Sequence, residues 1–164
     1  MNRLAPVFIL LLVCLLFKSC VTDDGTQTAV DPYQAVMMDR ESFENSVEAQ
    51  PARNVENSGK IYIMDQLMFI SEKNEGFHVY DYADPENPVS LGYIQIKGAT
   101  DLAIRDGNIY INQAIDLVTM AYNSSNNTIQ IMHRNENVFP QKVSPNGTMA
   151  NTSGNEIVVN WIIP

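Results

Sequence analysis

Between Phe77 and Ile96 the chain reads FHVYDYADPENPVSLGYIQI, and Asp81, Asp84 and Glu86 fall within six residues of it. Carboxylates set this closely could hold a divalent cation, because hard cations gather several oxygen ligands at once. The spacing does not suit a calcium loop of the EF-hand kind. DYADPENPVSLG lacks the Gly at its sixth position and the Glu at its twelfth that such a loop requires. Turn chemistry accounts for the same residues. Asp84-Pro85-Glu86-Asn87 fits a type I turn, in which the leading Asp accepts backbone N–H groups and Pro presets φ at the second position. Asn87-Pro88 then enters the next strand extended. Asp81, Asp84 and Glu86 are retained as a weak candidate binding loop, with no metal and no cofactor assigned to them.

The chain has two histidines, His78 and His133. Period-two alternation puts His78 on one strand face with Tyr80 and Tyr82. Paired with a carboxylate it could act as a general base, but no second group stands at a motif spacing from it. A strand histidine bonded to a neighbour is the expectation, and no catalytic residue is assigned. His133-Arg134 falls at a strand end beside an Asn-rich loop and is expected to be solvated. Trp161 and the seven tyrosines could form an aromatic platform for sugar or protein, yet most of the tyrosines fall in strand runs, where packing is the default. Four Asn-X-Ser/Thr triplets, at Asn123, Asn126, Asn146 and Asn151, read as polar loops.

The elements that must carry these residues follow a leader. Arg3 precedes an apolar run of eleven residues, Val7 to Phe17, and a small residue, Ser19, precedes Cys20. That is the layout of a secretory signal, too short for the roughly 18 or more apolar residues of a membrane span. The Cys at the cleavage point resembles a bacterial lipoprotein signal, which implies a peptide over 1–19, lipidation of Cys20 and anchorage in the bilayer of the outer membrane, on the periplasmic or surface side. VTDDGTQT after it reads as a flexible tether, and its acidic residues resemble surface-export signals of some Gram-negative lipoproteins. Loss of Arg3 and Lys18 leaves eight basic against nineteen acidic residues, a net charge of 8 − 19 = −11. Such a balance excludes nucleic acid as a partner, because that binding relies on Lys and Arg. With Cys14 removed and Cys20 acylated, neither a disulfide framework nor a thiol nucleophile is expected.

Residues 20–57 are expected to hold the tether and a short helix, capped by Asp39 or Ser42, with Phe43 and Val47 on one face and Pro51 at its end. From residue 58 to 164 the chain breaks into short runs rich in Ile, Val, Tyr and Phe, separated by Gly, Asn, Asp or Pro, which reads as strands. Asp106-Gly107 is a two-residue hairpin signal. The runs repeat. Ile63, Asp65, Phe69, Ile70 and Ser71 recur 41 residues later as Ile104, Asp106, Tyr110, Ile111 and Asn112; one residue then drops out, so that Phe77 and Tyr82 answer to Leu117 and Tyr122. Four strands in a period near 40 are the mark of propeller blades. The expected fold is all-β: two four-stranded propeller-like blades, about 59–97 and about 98–135, with a further strand about 156–162, forming an incomplete β-propeller or two packed meanders.

GKIYIMDQLMFISEKNEGFHVYDYADPENPVSLGYIQIKGATDLAIRDGNIYINQAIDLVTMAY, Gly59 to Tyr122, resembles the LVIVD-repeat family of bacterial β-propeller-like proteins, often lipoproteins. The hallmark aliphatic run ending in Asp is present as FHVYD, Phe77 to Asp81. Flanking segments extend the similarity over Tyr33 to Trp161. The resemblance implies a fold and no reaction. It also implies more repeats than are present, since propellers commonly have about four to eight blades. Two blades leave sheet edges and faces to be covered. Truncation of a longer propeller is the leading expectation, with self-association, a protein partner, or a sandwich of the two sheets as alternatives. The functional expectation is a membrane-tethered, non-enzymatic binding or scaffold protein; the alternative is a hydrolase or lyase acting on envelope carbohydrate from the same scaffold.

Overall fold

Alternating apolar runs and turn residues fold here as a succession of antiparallel strands. A computed structural model describes residues 31–164, and Asp31–Pro164 forms one compact unit. The signal peptide, Cys20 and the start of the tether lie outside the described residues. Strand β1 (Gln34–Met38) leads into helix α1 (Arg40–Asn45) and strand β2 (Glu48–Gln50). The first repeat comprises β3 (Ser58–Met64), β4 (Leu67–Glu72), β5 (Gly76–Asp81) and β6 (Val89–Gln95). The second comprises β7 (Ala99–Arg105), β8 (Asn108–Gln113), β9 (Asp116–Asn123) and β10 (Thr128–Asn135), and β11 (Ile157–Ile162) closes the order. The sheets run β2-β6-β5-β4-β3, β10-β9-β8-β7 and β1-β11, and none closes on itself. The fold is all-β, two packed four-stranded meanders compatible with incomplete propeller blades.

The repeat read from sequence is a repeat of register. Ile63 pairs with Met68 and Ile70 with His78; in the second meander Ile104 pairs with Ile109 and Ile111 with Val118. Asp65 and Asp106 both take φ of 51° in the first hairpin of each repeat, the left-handed region that Asp tolerates better than most residues. The dropped residue falls between β4 and β5 and their counterparts, where Glu72 faces Gly76 but Gln113 faces Asp116.

The two large sheets stack head to tail. The shared core takes Tyr62, Phe69, Phe77, Val79 and Ile94 from the first repeat, and Leu102, Ile104, Ile109, Ile111 and Val118 from the second. These are not equivalent positions. Phe69 answers to Tyr110, whereas Ile109 answers to Met68, so the front of one blade packs on the back of the next, as in a propeller. Polar clips join the sheet edges. The Tyr62 hydroxyl and Lys60 Nζ both reach Asp101, the latter at 2.8 Å. On the other side Asn127 Nδ2 donates to the Gln50 carbonyl at 2.9 Å. Gly92 makes room for that clip, since a Cβ there would lie 2.3 Å from Asn127 Oδ1.

The N-terminal strap differs in detail from expectation. Asp39 is the cap, accepting the Ser42 N–H at 2.9 Å, and the helix stops at Asn45 rather than running on to Pro51. Ser46 terminates it by donating its N–H and its hydroxyl to the Phe43 carbonyl. Val47 therefore lies beyond the helix, and Glu48–Gln50 is recruited by the free edge of β6. Pairing with an open sheet edge outweighs the helical pattern, whose local preference is weak. Phe43 is fully buried with Ala114, Ile115, Ile157 and Val159, joining strap, second repeat and β11 in a second small core.

Candidate functional site

The acidic turn forms, but its carboxylates do not converge. Asp84 Oδ1 accepts the Glu86 N–H at 3.1 Å, Oδ2 accepts Asn87 Nδ2 at 2.8 Å, and the Asn87 N–H closes the turn on the Asp84 carbonyl at 3.1 Å. The Asn87 amide, followed by the Glu86 N–H, holds the Asp84 carboxyl below its ordinary value against a small burial effect. Asp81 instead accepts the Ala83 N–H at 2.9 Å. It borders a cleft of about 300 Å³ with Asp65, Gln66 and Ser124, to which Asp84 and Glu86 do not contribute. Among the described residues, no group of three or more His, Cys, Asp or Glu side chains is placed to hold a metal ion.

His78 has a partner that sequence spacing did not reveal. Its ring is wholly buried, and Nε2 lies 2.8 Å from Glu72 Oε2, to which Arg53 also donates at 2.8 Å. An ionised carboxylate only accepts, so Nε2 carries the imidazole proton in this arrangement. Burial alone would raise the Glu72 carboxyl, but the bonds from Arg53 and His78 outweigh it and leave the group below its ordinary value. The Arg53 guanidinium stacks 3.8 Å above the Tyr93 ring, within the range of a favourable cation–π contact. Tyr93 is itself buried, which holds its hydroxyl well above the ordinary phenol value despite the Arg53 charge. Nδ1 of His78 and the hydroxyl of Tyr93 have no hydrogen-bond partner among the described residues. The register His78↔Tyr93, with Glu72 opposite Gly76 one hairpin away, is what brings distant letters together.

A second buried carboxylate, Asp116, also escaped the sequence reading. Arg40 reaches its Oδ2 at 2.5 Å, Arg134 the same oxygen at 2.8 Å, and the Asn137 N–H donates to Oδ1 at 3.0 Å. Both guanidiniums lie about 5.5 Å from the Phe43 ring centroid. The arrangement ties the strap, β9, β10 and the segment after β10 to one carboxylate. His133, by contrast, is exposed on β10, as the sequence implies.

The surface that differs most from an ordinary sheet exterior is the back of the first repeat. Ile61 and Ile63 are 59% and 55% exposed, beside half-buried Ile70 and Tyr80. Their counterparts Leu102, Ile104 and Ile111 face the shared core. The opposite end of the stack is different. There Ala103, Tyr110, Asn112 and Leu117 face outward, and Phe139, anchored by its N–H to the Ile115 carbonyl at 2.9 Å, borders the same pocket. The outward face of the second repeat is thus half-buried beside Phe139. The back of the first repeat is covered by Arg53 over Tyr93, His78 and Glu72 on its β5–β6 side, and leaves the strip of Ile61 and Ile63 exposed on its β3 side. Compared with models of protein families, with curated proteins and with solved structures, the chain matches none.

Proposed function

We propose that the chain is a non-enzymatic, membrane-tethered binding or scaffold protein of the LVIVD-repeat type, and that it pairs through the back of its first sheet with the same face of a second copy. The observation that carries this reading is the equivalence of Ile61 and Ile63 with Leu102 and Ile104, which already serve as a packing face within the chain. A surface built for burial and left open gains by association, since apolar area removed from water is the main favourable term. Among the described residues, an exposed aliphatic strip of this kind lies at one end of the stack, Tyr110 and Leu117 at the other being half-buried beside Phe139. A single self-complementary face gives a closed pair, whereas a filament would need a second, matching face. The far end, where Phe139 borders the half-buried Tyr110 and Leu117, supports the first.

The non-enzymatic reading is supported by what the buried ionisable groups do. Glu72 accepts from Arg53, His78 and the Asn57 N–H, and Asp116 from Arg40, Arg134 and the Asn137 N–H. The His78 ring, 0% exposed, meets no solvent from which a substrate could approach. A bis-maleimide cross-linker tests the pairing on intact tethered protein. An Ile63→Cys variant is expected to give cross-linked dimers, and an Ala103→Cys variant, on the far end, is not. Equal yields from the two, or none from Ile63→Cys, would overturn the pairing.

A further inference from the structure

In a chain of net charge −9, a cleft lined by two lysines and no acid holds a lysine without a carboxylate partner. It measures about 390 Å³ and lies between the β4–β5 turn and the small β1-β11 sheet, bordered by Lys73, Asn74, Thr100, Lys142, Asn160 and Trp161. Asn74 organises it. The residue sits at φ of 63°, with its N–H on the Ala99 carbonyl at 2.9 Å and its carbonyl accepting the Gly98 N–H at 2.8 Å. That fixes the amide: Nδ2 donates to Asn160 Oδ1 at 2.6 Å and Oδ1 accepts from Lys142 Nζ. Asn160 Oδ1 takes the Trp161 N–H as well, and Trp161 Nε1 donates to the Lys142 carbonyl at 3.2 Å.

Lys142 is therefore a half-buried ammonium held in place by a neutral amide. It has three donors, one is used, and among the described residues no carboxylate pairs with it. Lys73 is the charged group facing it; the residues from β7 and β11 that complete the lining are uncharged. Among the described residues the other partly buried cations, Arg40, Arg53, Lys97 and Arg134, each have a carboxylate within 3 Å. Burial, followed by repulsion from Lys73, pulls the Lys142 ammonium down to about 8. Two like charges set against a low-dielectric wall, with free donors between them, make an electrostatic vacancy that an anion fills.

We propose that this cleft is a binding site for a small anionic ligand, a carboxylate or phosphate held by Lys142 and Lys73, whose uncharged body lies against Trp161. The inference gives the binding reading a ligand class and does not depend on the pairing face, which is built from other residues. An anion between the lysines relieves their repulsion and satisfies the idle donors of Lys142. The indole, with Val143 and Pro145 beside it, supplies the flat apolar wall on which a sugar ring or short aliphatic chain rests.

Trp161 is the chain's single tryptophan, so its fluorescence reports on this cleft alone. Full-length protein is titrated with glucuronate, glucose 6-phosphate and glucose, with sodium chloride matched for ionic strength. Saturable change of emission with either anionic sugar, absent with glucose and chloride, is expected, and the stronger of the two identifies carboxylate or phosphate as the preferred group. A Lys142→Gln variant is expected to bind roughly tenfold more weakly or worse, the loss of one charge-assisted contact, and Lys73→Gln to lose less. Retained emission maximum and melting temperature in the variants show that the cleft is folded. Affinity falls as pH rises through about 8, where Lys142 loses its charge, and that dependence disappears in Lys142→Gln. No response to either anion, an equal response to chloride, or unchanged affinity in folded Lys142→Gln would overturn the proposal. Disruption of pairing by Ile63→Asp leaves the titration unchanged, so the two proposals fail separately.

Discussion

Phe69 and Tyr110 occupy the same position in the two repeats, yet Phe69 is fully buried between the sheets while Tyr110 faces out into a pocket it shares with Phe139. A sandwich related by two-fold symmetry would bury both or neither. Head-to-tail stacking buries one, and it determines which side of each repeat is finished and which is left over.

Truncating the two residues therefore has unequal cost. Phe69→Ala removes a ring from a closed core and is expected to destabilise by about 3–5 kcal/mol. Tyr110→Ala loses contact on one side only and is expected to cost well under half of that. Urea denaturation of both variants measures the difference. Equal losses would sink the head-to-tail assignment.

Glu72 makes stability depend on pH in a definite direction. Its folded carboxyl lies below the ordinary value of 4.5, burial being outweighed by the bonds from Arg53 and His78. The stability this contributes is full above the unfolded value and is lost as pH falls through the folded one. Melting temperature is thus expected to drop on acidification below about pH 4.5. A Glu72→Gln variant, less stable at neutral pH, should show a smaller drop over the same window. An unchanged acid limb would assign the dependence to other carboxylates.

Asp116 holds a costlier arrangement. Removing one member of a buried ion pair leaves the remainder uncompensated, typically at about 3–5 kcal/mol. Asp116→Ala strands Arg134, 13% exposed, together with Arg40, and frees the strap that Phe43 anchors. Expected results are a loss of that order by denaturation and faster proteolysis between Asp39 and Gln50. If stability falls while the strap stays protected, the carboxylate matters to β9 and β10 alone.

Strands, turns and the period near 40 were legible because each is written locally, in alternation and in Asp, Asn and Gly at the hairpins. The buried charges were not. Glu72 and Asp116 sit six residues or more from the partners that define them, and up to 76 in the case of Arg40. They also break the repeat: Glu72 answers to Gln113, and Asp116 to Gly76, so comparing the units draws no attention to either. Gly76 itself is needed bare, since a Cβ there would lie 2.0 Å from the Ile94 carbonyl oxygen. Of the two caps the sequence offers, Asp39 and Ser42, Asp39 serves, and the helix ends short of Pro51 because the free edge of β6 is a tertiary fact. The face of Ile61 and Ile63 was visible as apolar runs, but only the parity of the stack shows which runs remain uncovered.

The acidic turn gives the last prediction. Asp84 engages both oxygens within the turn and Asp81 one with Ala83, so three of the loop's six carboxylate oxygens already accept N–H donors and the three carboxylates do not converge on one point. The Glu86 and Ala83 amide resonances are expected to stay in place when calcium is added, and the melting temperature with them. The same amides should respond to acid. The Asp84 carboxyl is lowered by its bonds to Asn87 and Glu86, so the turn holds above the ordinary value near 3.8 and opens as pH falls through the lower folded one. Asp84→Ala is expected to shift the Glu86 amide at neutral pH toward its acid position and to leave the rest of the first repeat unmoved. A saturable calcium shift at Glu86, lost in Asp84→Ala, would restore the metal reading of this loop. Without it, Asp81, Asp84 and Glu86 belong to the joint between β5 and β6.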